Sequence, residues 1–337
     1  MERFRIIKNI GDGTFGSVSK AAVQGSNEIV AVKKMKKKFY SWEECLELRE
    51  IKVLRKLTHQ NLIKLKEVVR ANDELNLIFE YCDKNLYQLL SEAPLNEDQI
   101  REFIKQILNG LSFLHKHGFF HRDLKPDNIL IASNSAKIAD FGLAREIRSQ
   151  FPYTEYVSTR WYRAPELLLH SRRYSWQVDI FALGCITAEL FLNRPLFPGS
   201  SEIDQLNRLC SVLGSPNDWN EGQRLASPMN YIFPQYISTP LQGIIPNASQ
   251  EAIDFLNNLL KWDPAARPTA DQCLQHSFIT RNSLNYQRFN TMNKNSEVSI
   301  ANELAKPKPK SNSMLKIGAG MMGKNNSVGV GRHKINN

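Results

Sequence analysis

The sequence predicts an α+β fold: a small antiparallel β-sheet with one helix, followed by a larger, mainly helical part. Three observations predict it. Up to Tyr81, apolar and polar residues alternate in short runs, the two-residue period of strands with one buried face. From Leu86 onward apolar residues recur three and four apart, the period of helices packed on a core. Two polar stretches, His121–Asn128 and Asp140–Gly142, are set among apolar runs and read as turns facing one cleft.

The elements follow in order. Residues 4–10 and 17–23 alternate about a glycine-rich turn, which predicts an antiparallel hairpin. Ile29 to Lys33 is a third strand. Ser41-Trp42-Glu43-Glu44 opens a helix in the manner of a capping box, with Leu46, Ile51, Leu54 and Leu57 as its apolar positions. Leu62 to Val69 and Leu75 to Glu80 are two more strands. Asn96 caps a long helix whose apolar face is Ile100, Phe103, Ile104, Ile107, Leu111 and Leu114. Further helices are expected at about 178–192, 201–213 and 249–260, with a loop-rich insert at about 214–247. The expected organisation is a first lobe over 1–81, a second over 82–280, and a basic, mainly disordered tail over 281–337.

Charge supports that division. The net charge is +10, but residues 281–337 hold ten Lys/Arg against two Asp/Glu and so carry +8. The remaining +2 is spread over 280 residues, which argues against a core specific for nucleic acid. The five cysteines include no C-x-x-C pair, so reduced thiols are expected rather than disulfides or zinc. The start has no apolar stretch of the signal-peptide kind, and no apolar run is long enough to span a bilayer. A soluble intracellular monomer is the expectation.

Several strings carry chemistry. Gly11-Asp12-Gly13-Thr14-Phe15-Gly16-Ser17-Val18 leaves room for backbone N–H groups to approach phosphates where a Cβ would clash. The glycines are followed by a strand, which counts against a Rossmann turn. Lys33, in Ala31-Val32-Lys33, has apolar neighbours and needs a partner for its charge. Nucleotide phosphates and Glu50 would supply it, with Glu47 as the alternative one turn away. In His121-Arg122-Asp123-Leu124-Lys125-Pro126-Asp127-Asn128, Asp123 is the candidate base for a hydroxyl proton and Lys125 the candidate stabiliser of charge on a transferring phosphoryl group. Asn128 and Asp140 offer the hard oxygens that Mg²⁺ prefers. His121 is assigned to packing and hydrogen bonding. Glu166 needs a buried cation, and Arg267 is the candidate. Thr154 and Tyr156 are candidate phosphorylation sites, with Arg49, Arg122 and Arg145 expected to converge on a phosphate at Thr154.

These strings together resemble the protein-kinase signature set over about residues 4–280. Thr159-Arg160-Trp161-Tyr162-Arg163-Ala164-Pro165-Glu166 and the insert after Leu213-Gly214-Ser215-Pro216 resemble the cyclin-dependent and MAP kinase branch. Phe39-Tyr40-Ser41-Trp42, Asn85-Leu86-Tyr87-Gln88-Leu89 and His115-Lys116-His117-Gly118-Phe119-Phe120-His121 resemble the male germ cell-associated, intestinal cell and MOK kinases. The resemblance implies a two-lobed kinase fold with ATP between the lobes, Mg²⁺ as cofactor and protein Ser/Thr followed by Pro as substrate. It further implies an upstream activating kinase and work at cilia or flagella. It places Val18, Ala31 and Leu130 among the nucleotide contacts, Phe79 at the back of the adenine pocket, and backbone groups of Glu80 and Cys82 on adenine. Two features depart from it: Glu155 stands where the nearest of these families carry Asp, and the tail is short. The rival readings are a nucleotide-binding scaffold, which predicts a broken motif, and a nucleic-acid-binding protein led by its basic tail.

Overall fold

The computed structural model describes residues 1–13, 15–147 and 159–281. Five strands, β1 (Phe4–Asp12), β2 (Gly16–Val23), β3 (Ile29–Lys38), β4 (Leu65–Ala71) and β5 (Glu74–Glu80), form one antiparallel sheet in the order β1-β2-β3-β5-β4. The β1–β2 register slips twice, between Ile6 and Lys8 and between Asn9 and Gly11, and such bulges sharpen the twist of a ribbon. β3 runs five residues beyond Lys33, through the lysine run, because acids from neighbouring segments meet the charges. Lys34 pairs with Glu74 at 2.8 Å, Lys36 with Asp12 at 2.8 Å and Lys37 with Glu44 at 2.7 Å. The fourth strand starts at Leu65 rather than Leu62. Residues before it join the helical part instead: Ile63 N–H donates to Ile138 O and Ile138 N–H to Asn61 O, both at 2.9 Å.

The predicted helix after Ser41 runs in two segments, α1 (Trp42–Leu46) and α2 (Arg49–Lys56). Ser41 Oγ accepts the Glu44 N–H at 3.2 Å, as the capping signal requires. The break at Glu47–Leu48 has a geometric reason. Cys45 and Ile51 are both buried, but six residues on one helix are about 240° apart, so an unbroken helix cannot turn both inward. Leu46, expected on the apolar face, is exposed, whereas Ile51, Leu54 and Leu57 are buried.

The helical part begins with β6 (Lys84–Asn85), α3 (Leu86–Glu92) and α4 (Glu97–Lys116). Asn96 and Gln99 form a full capping box at the start of α4, with bonds of 2.9 and 3.0 Å. Four short strands follow, β7 (Phe119–Phe120), β8 (Ile129–Ala132), β9 (Ser135–Ile138) and β10 (Arg145–Glu146), and they frame the two polar turns. After them come α5 (Pro165–Leu168), α6 (Gln177–Leu192), α7 (Glu202–Leu213), α8 (Asn220–Ala226), α9 (Leu241–Ile244), α10 (Gln250–Leu259), α11 (Ala270–Leu274) and α12 (Ser277–Thr280). The insert is thus partly helical. Every residue of α6 from Val178 to Leu190 is buried, so this helix is the axis on which the large part packs. No described helix is long and apolar enough to cross a membrane. The tail beyond Arg281 lies outside the described residues.

Candidate active site

Between the sheet and the helical part lies a cleft of about 910 Å³. Its roof is the turn from β1 to β2, closed by Gly13 N–H donating to Gly16 O at 2.9 Å. The glycines there differ in purpose. A Cβ on Gly16 would lie 2.3 Å from Lys34 O, so backbone packing forbids any side chain. A Cβ on Gly11 would meet no atom within 4 Å, and one on Gly13 only Gly16 O at 3.7 Å. Nothing inside the fold requires those two to lack a side chain; what their smallness keeps open is the cleft.

Val18, Ala31 and Leu130 line the cleft, with Phe79 behind Ala31, its cross-strand neighbour. Glu80 and Cys82 lie along its rim. The Glu80 carboxylate accepts from Lys64 N–H at 2.8 Å and pairs with Lys137 of β9 at 3.1 Å, so this link between the two parts is tied to both. Burial, then the adjacent Glu80 charge, push the Cys82 thiol up to about 12, so it is a neutral wall group.

Lys33, nearly buried, meets Glu50 Oε1 and Oε2 at 3.0 and 2.8 Å and Asp140 Oδ1 at 3.1 Å. Burial works to lower the Lys33 pKa, but the two carboxylates outweigh it and hold the ammonium above the ordinary lysine range. Burial likewise works to raise Asp140, and Lys33 outweighs it, leaving that carboxyl below the usual range. Glu47 is instead solvent-exposed and pairs with Lys52, so the contacts select Glu50 of the two candidates.

The polar loop is built on His121. Its Nδ1 accepts the Asp123 N–H at 3.2 Å, which leaves Nε2 to carry the proton and donate to Ala139 O at 2.9 Å. Asn128 Nδ2 donates to Asp123 O at 2.8 Å and to Asp123 Oδ2 at 3.1 Å, and Lys125 Nζ lies 3.3 Å from Oδ2. The Asp123 carboxylate is thereby aimed by two side chains of its own loop. With its amide nitrogen committed to Asp123, Asn128 keeps Oδ1 as the atom able to ligate a cation. Asp140 itself sits at φ +63, a strained value for a residue with a side chain, and lines the cleft beside Asn128.

Arg49, Arg122 and Arg145 lie near one another. Burial first, then the charges of Arg145 and Arg122, lower the Arg49 pKa, the signature of crowded cations. Thr154 and Tyr156 lie outside the described residues. Glu166 and Arg267 form a buried two-pronged pair, at 2.7 and 2.8 Å, and the guanidinium also donates to the carbonyls of Lys261, Gln177 and Trp262.

Comparison with known proteins decides what this constellation belongs to. The family model described as protein kinase domain matches residues 4–279. The chain is 58% identical to serine/threonine-protein kinase ICK of Rattus norvegicus over 284 residues, which is 83% of this chain and 45% of that protein. The chain belongs to the protein kinase family. It is also 56% identical to serine/threonine-protein kinase MAK of Homo sapiens, covering 83% of this chain and 46% of that protein. To cyclin-dependent kinase F-3 of Oryza sativa subsp. japonica it is 54% identical, covering 83% and 65%. The chain therefore spans about half the length of the first relatives it matches.

One supporting residue of this kinase domain escaped sequence reasoning. Asp179, buried in α6, accepts the backbone N–H groups of His121 and Arg122, each at 2.8 Å, and its Oδ2 lies 3.0 Å from His115 Nε2. Arg122 stands at φ +75, and this carboxylate holds that strained corner. The signal was present: a lone acid in the apolar run Val178-Asp179-Ile180-Phe181 must be buried with partners.

Proposed function

We propose that the chain transfers the γ-phosphoryl group of Mg·ATP to serine and threonine hydroxyls of proteins. The observation that carries this reading is one cleft with two intact clusters in it: Lys33 held by Glu50 and Asp140, and Asp123 held by Asn128 and Lys125. In this reading Lys33 binds the nucleotide phosphates, and Glu50 keeps its ammonium aimed at them. Val18, Ala31, Phe79 and Leu130 bury the base, while Gly11, Gly13 and Gly16 let the roof backbone close over the phosphates. Asp140 and Asn128 would hold Mg²⁺, which supplies charge neutralisation between the phosphates. Asp123 orients the acceptor hydroxyl and takes its proton, and Lys125 steadies charge on the transferring group.

The finer parts of the reading rest on the resemblance and on residue placement. The acceptor is followed by proline. An upstream kinase phosphorylates Thr154, adding about −1.5 to −2 charges beside Arg49, Arg122 and Arg145 and so relieving their mutual repulsion. Phosphorylated Tyr156 pairs with Arg160 or Arg163. The chain acts as a monomer, and a role at cilia or flagella rests on the resemblance alone. A catalytically silent scaffold is disfavoured because none of Lys33, Glu50, Asp123, Asn128 and Asp140 is replaced. The test is to incubate the purified chain and Mg·ATP with an oriented peptide library. Phosphate should appear on Ser/Thr, enriched before Pro. Saturable ATP binding without incorporation would favour the scaffold instead.

A further inference from the structure

α6 is buried along its whole length and apolar but for a few positions, yet it carries a second buried acid, Glu189, that none of the chemistry above uses. Its partner is the hydroxyl of Tyr162, which donates to Glu189 Oε2 at 2.7 Å. Tyr162 belongs to the stretch from Thr159, which lines the cleft, to Glu166, which is locked by Arg267. The two ends of that stretch are anchored differently. At Glu166 the anchor is a permanent ion pair with four further carbonyl and carboxylate bonds around it. Nearer the cleft the side-chain anchors are Trp161 Nε1 on Gly199 O at 3.2 Å, Gln205 Nε2 on Trp161 O at 3.3 Å, and the Tyr162–Glu189 bond. Of these, only the last joins groups that can gain or lose a proton.

We propose that Glu189 is a positioning residue for the protein substrate: through Tyr162 it sets the cleft-side half of the 159–166 segment, so that peptide binding, rather than ATP binding, depends on whether Glu189 is ionised. The proposal rests on the kinase reading above. An ionised carboxylate accepts a charge-assisted bond from the phenol, about twice as strong as the bond to a neutral acid. Which form is present is decided by the surroundings. Burial raises the Glu189 carboxyl to about 7; the Tyr162 bond opposes this, and the Asp127 carboxylate in the neighbouring 126–128 turn adds to it. Cys185, one turn back on α6, is kept neutral by burial, with the Glu189 charge acting in the same direction and Arg267 against it. The other acid of the helix, Asp179, is ten residues away and already bonded to His115, His121 and Arg122. Asp127 lines the cleft, so Glu189 sits between the loop that carries the base and the segment below the acceptor.

Two variants separate the contributions. Glu189→Gln keeps an acceptor for Tyr162 but never ionises, and Tyr162→Phe removes the bond and leaves the ring. For the wild type, KM for a Ser-Pro peptide at saturating ATP should rise roughly three- to tenfold from pH 8 to pH 6, the size of a lost charge-assisted bond. In both variants it should be raised by a similar factor at pH 8 and flat across that range, with KM for ATP unchanged. Independently of turnover, hydrogen exchange at the Arg163 amide, bonded to Arg160 O, should be faster at pH 8 in both variants after correction for intrinsic rates. Unchanged exchange in both, or a wild-type pH profile retained by Glu189→Gln, would overturn the proposal. Faster exchange with no peptide phosphorylated by any form would instead sink the kinase reading and leave the anchor standing.

Discussion

Glu189 and Arg267 show how two buried charges on one framework are handled in opposite ways. Arg267 is surrounded by acceptors, and removing it strands Glu166 inside the protein. Breaking a buried pair by deleting one partner costs about 3–5 kcal/mol, so Arg267→Met should lower the melting temperature sharply, whereas Arg267→Met with Glu166→Met should recover much of the loss. A double variant as unstable as the single one would contradict that account. Glu189 has one neutral partner, and its carboxyl is held at about 7 by burial. A carboxyl raised above its unfolded value binds its proton more tightly in the native state. Its favourable contribution is therefore present at low pH and is lost as pH rises through about 7. The wild type should lose stability relative to Glu189→Gln between pH 5 and pH 8, read as the difference between their thermal midpoints. A difference independent of pH would show that Glu189 does not titrate in this window.

At the scale of elements, what the sequence made legible and what it concealed follow from range. Capping is local, so Ser41, Asn96 and the helix starts near 178, 202 and 250 were readable from a few consecutive residues. The glycine-rich hairpin was readable for the same reason. The break between α1 and α2 was not, because it depends on which neighbours bury Cys45 and Ile51. The reach of β3 through its lysines also depends on acids, Glu74, Asp12 and Glu44, that lie elsewhere in the chain. Of the site, every proposed nucleotide, metal and base residue lines one cleft, and their types carried that information. Asp179 and Glu189 were missed because a buried acid announces only that it has partners, not who they are. The roof offers a direct contrast between two glycines. Gly16→Ala drives a Cβ against Lys34 O and should destabilise the sheet by about 1–3 kcal/mol, the usual range for overpacking. Gly11→Ala has space and should leave stability nearly unchanged while raising KM for ATP, because the added methyl enters the cleft. Equal thermal shifts for the two would contradict this assignment.

At the scale of the whole molecule, the sheet contributes Lys33, α2 contributes Glu50, and the helical part contributes Asp140, Asp123, Asn128 and Lys125. The three-way contact among Lys33, Glu50 and Asp140 crosses the cleft, so the relative position of the two parts and the state of the site are one property. α6 supports the other side, through Asp179 beneath the loop and Glu189 beneath the 159–166 segment. The central claim is that this assembly performs phosphoryl transfer with Asp123 as the group that orients the acceptor and takes its proton. It is tested most directly by comparing Asp123→Asn with the wild type on one Ser-Pro peptide while measuring ATP affinity on the same samples. The account predicts ATP affinity close to wild type and turnover reduced by about 10²–10⁴-fold. Wild-type turnover in the variant, or loss of ATP binding in step with loss of activity, would contradict it.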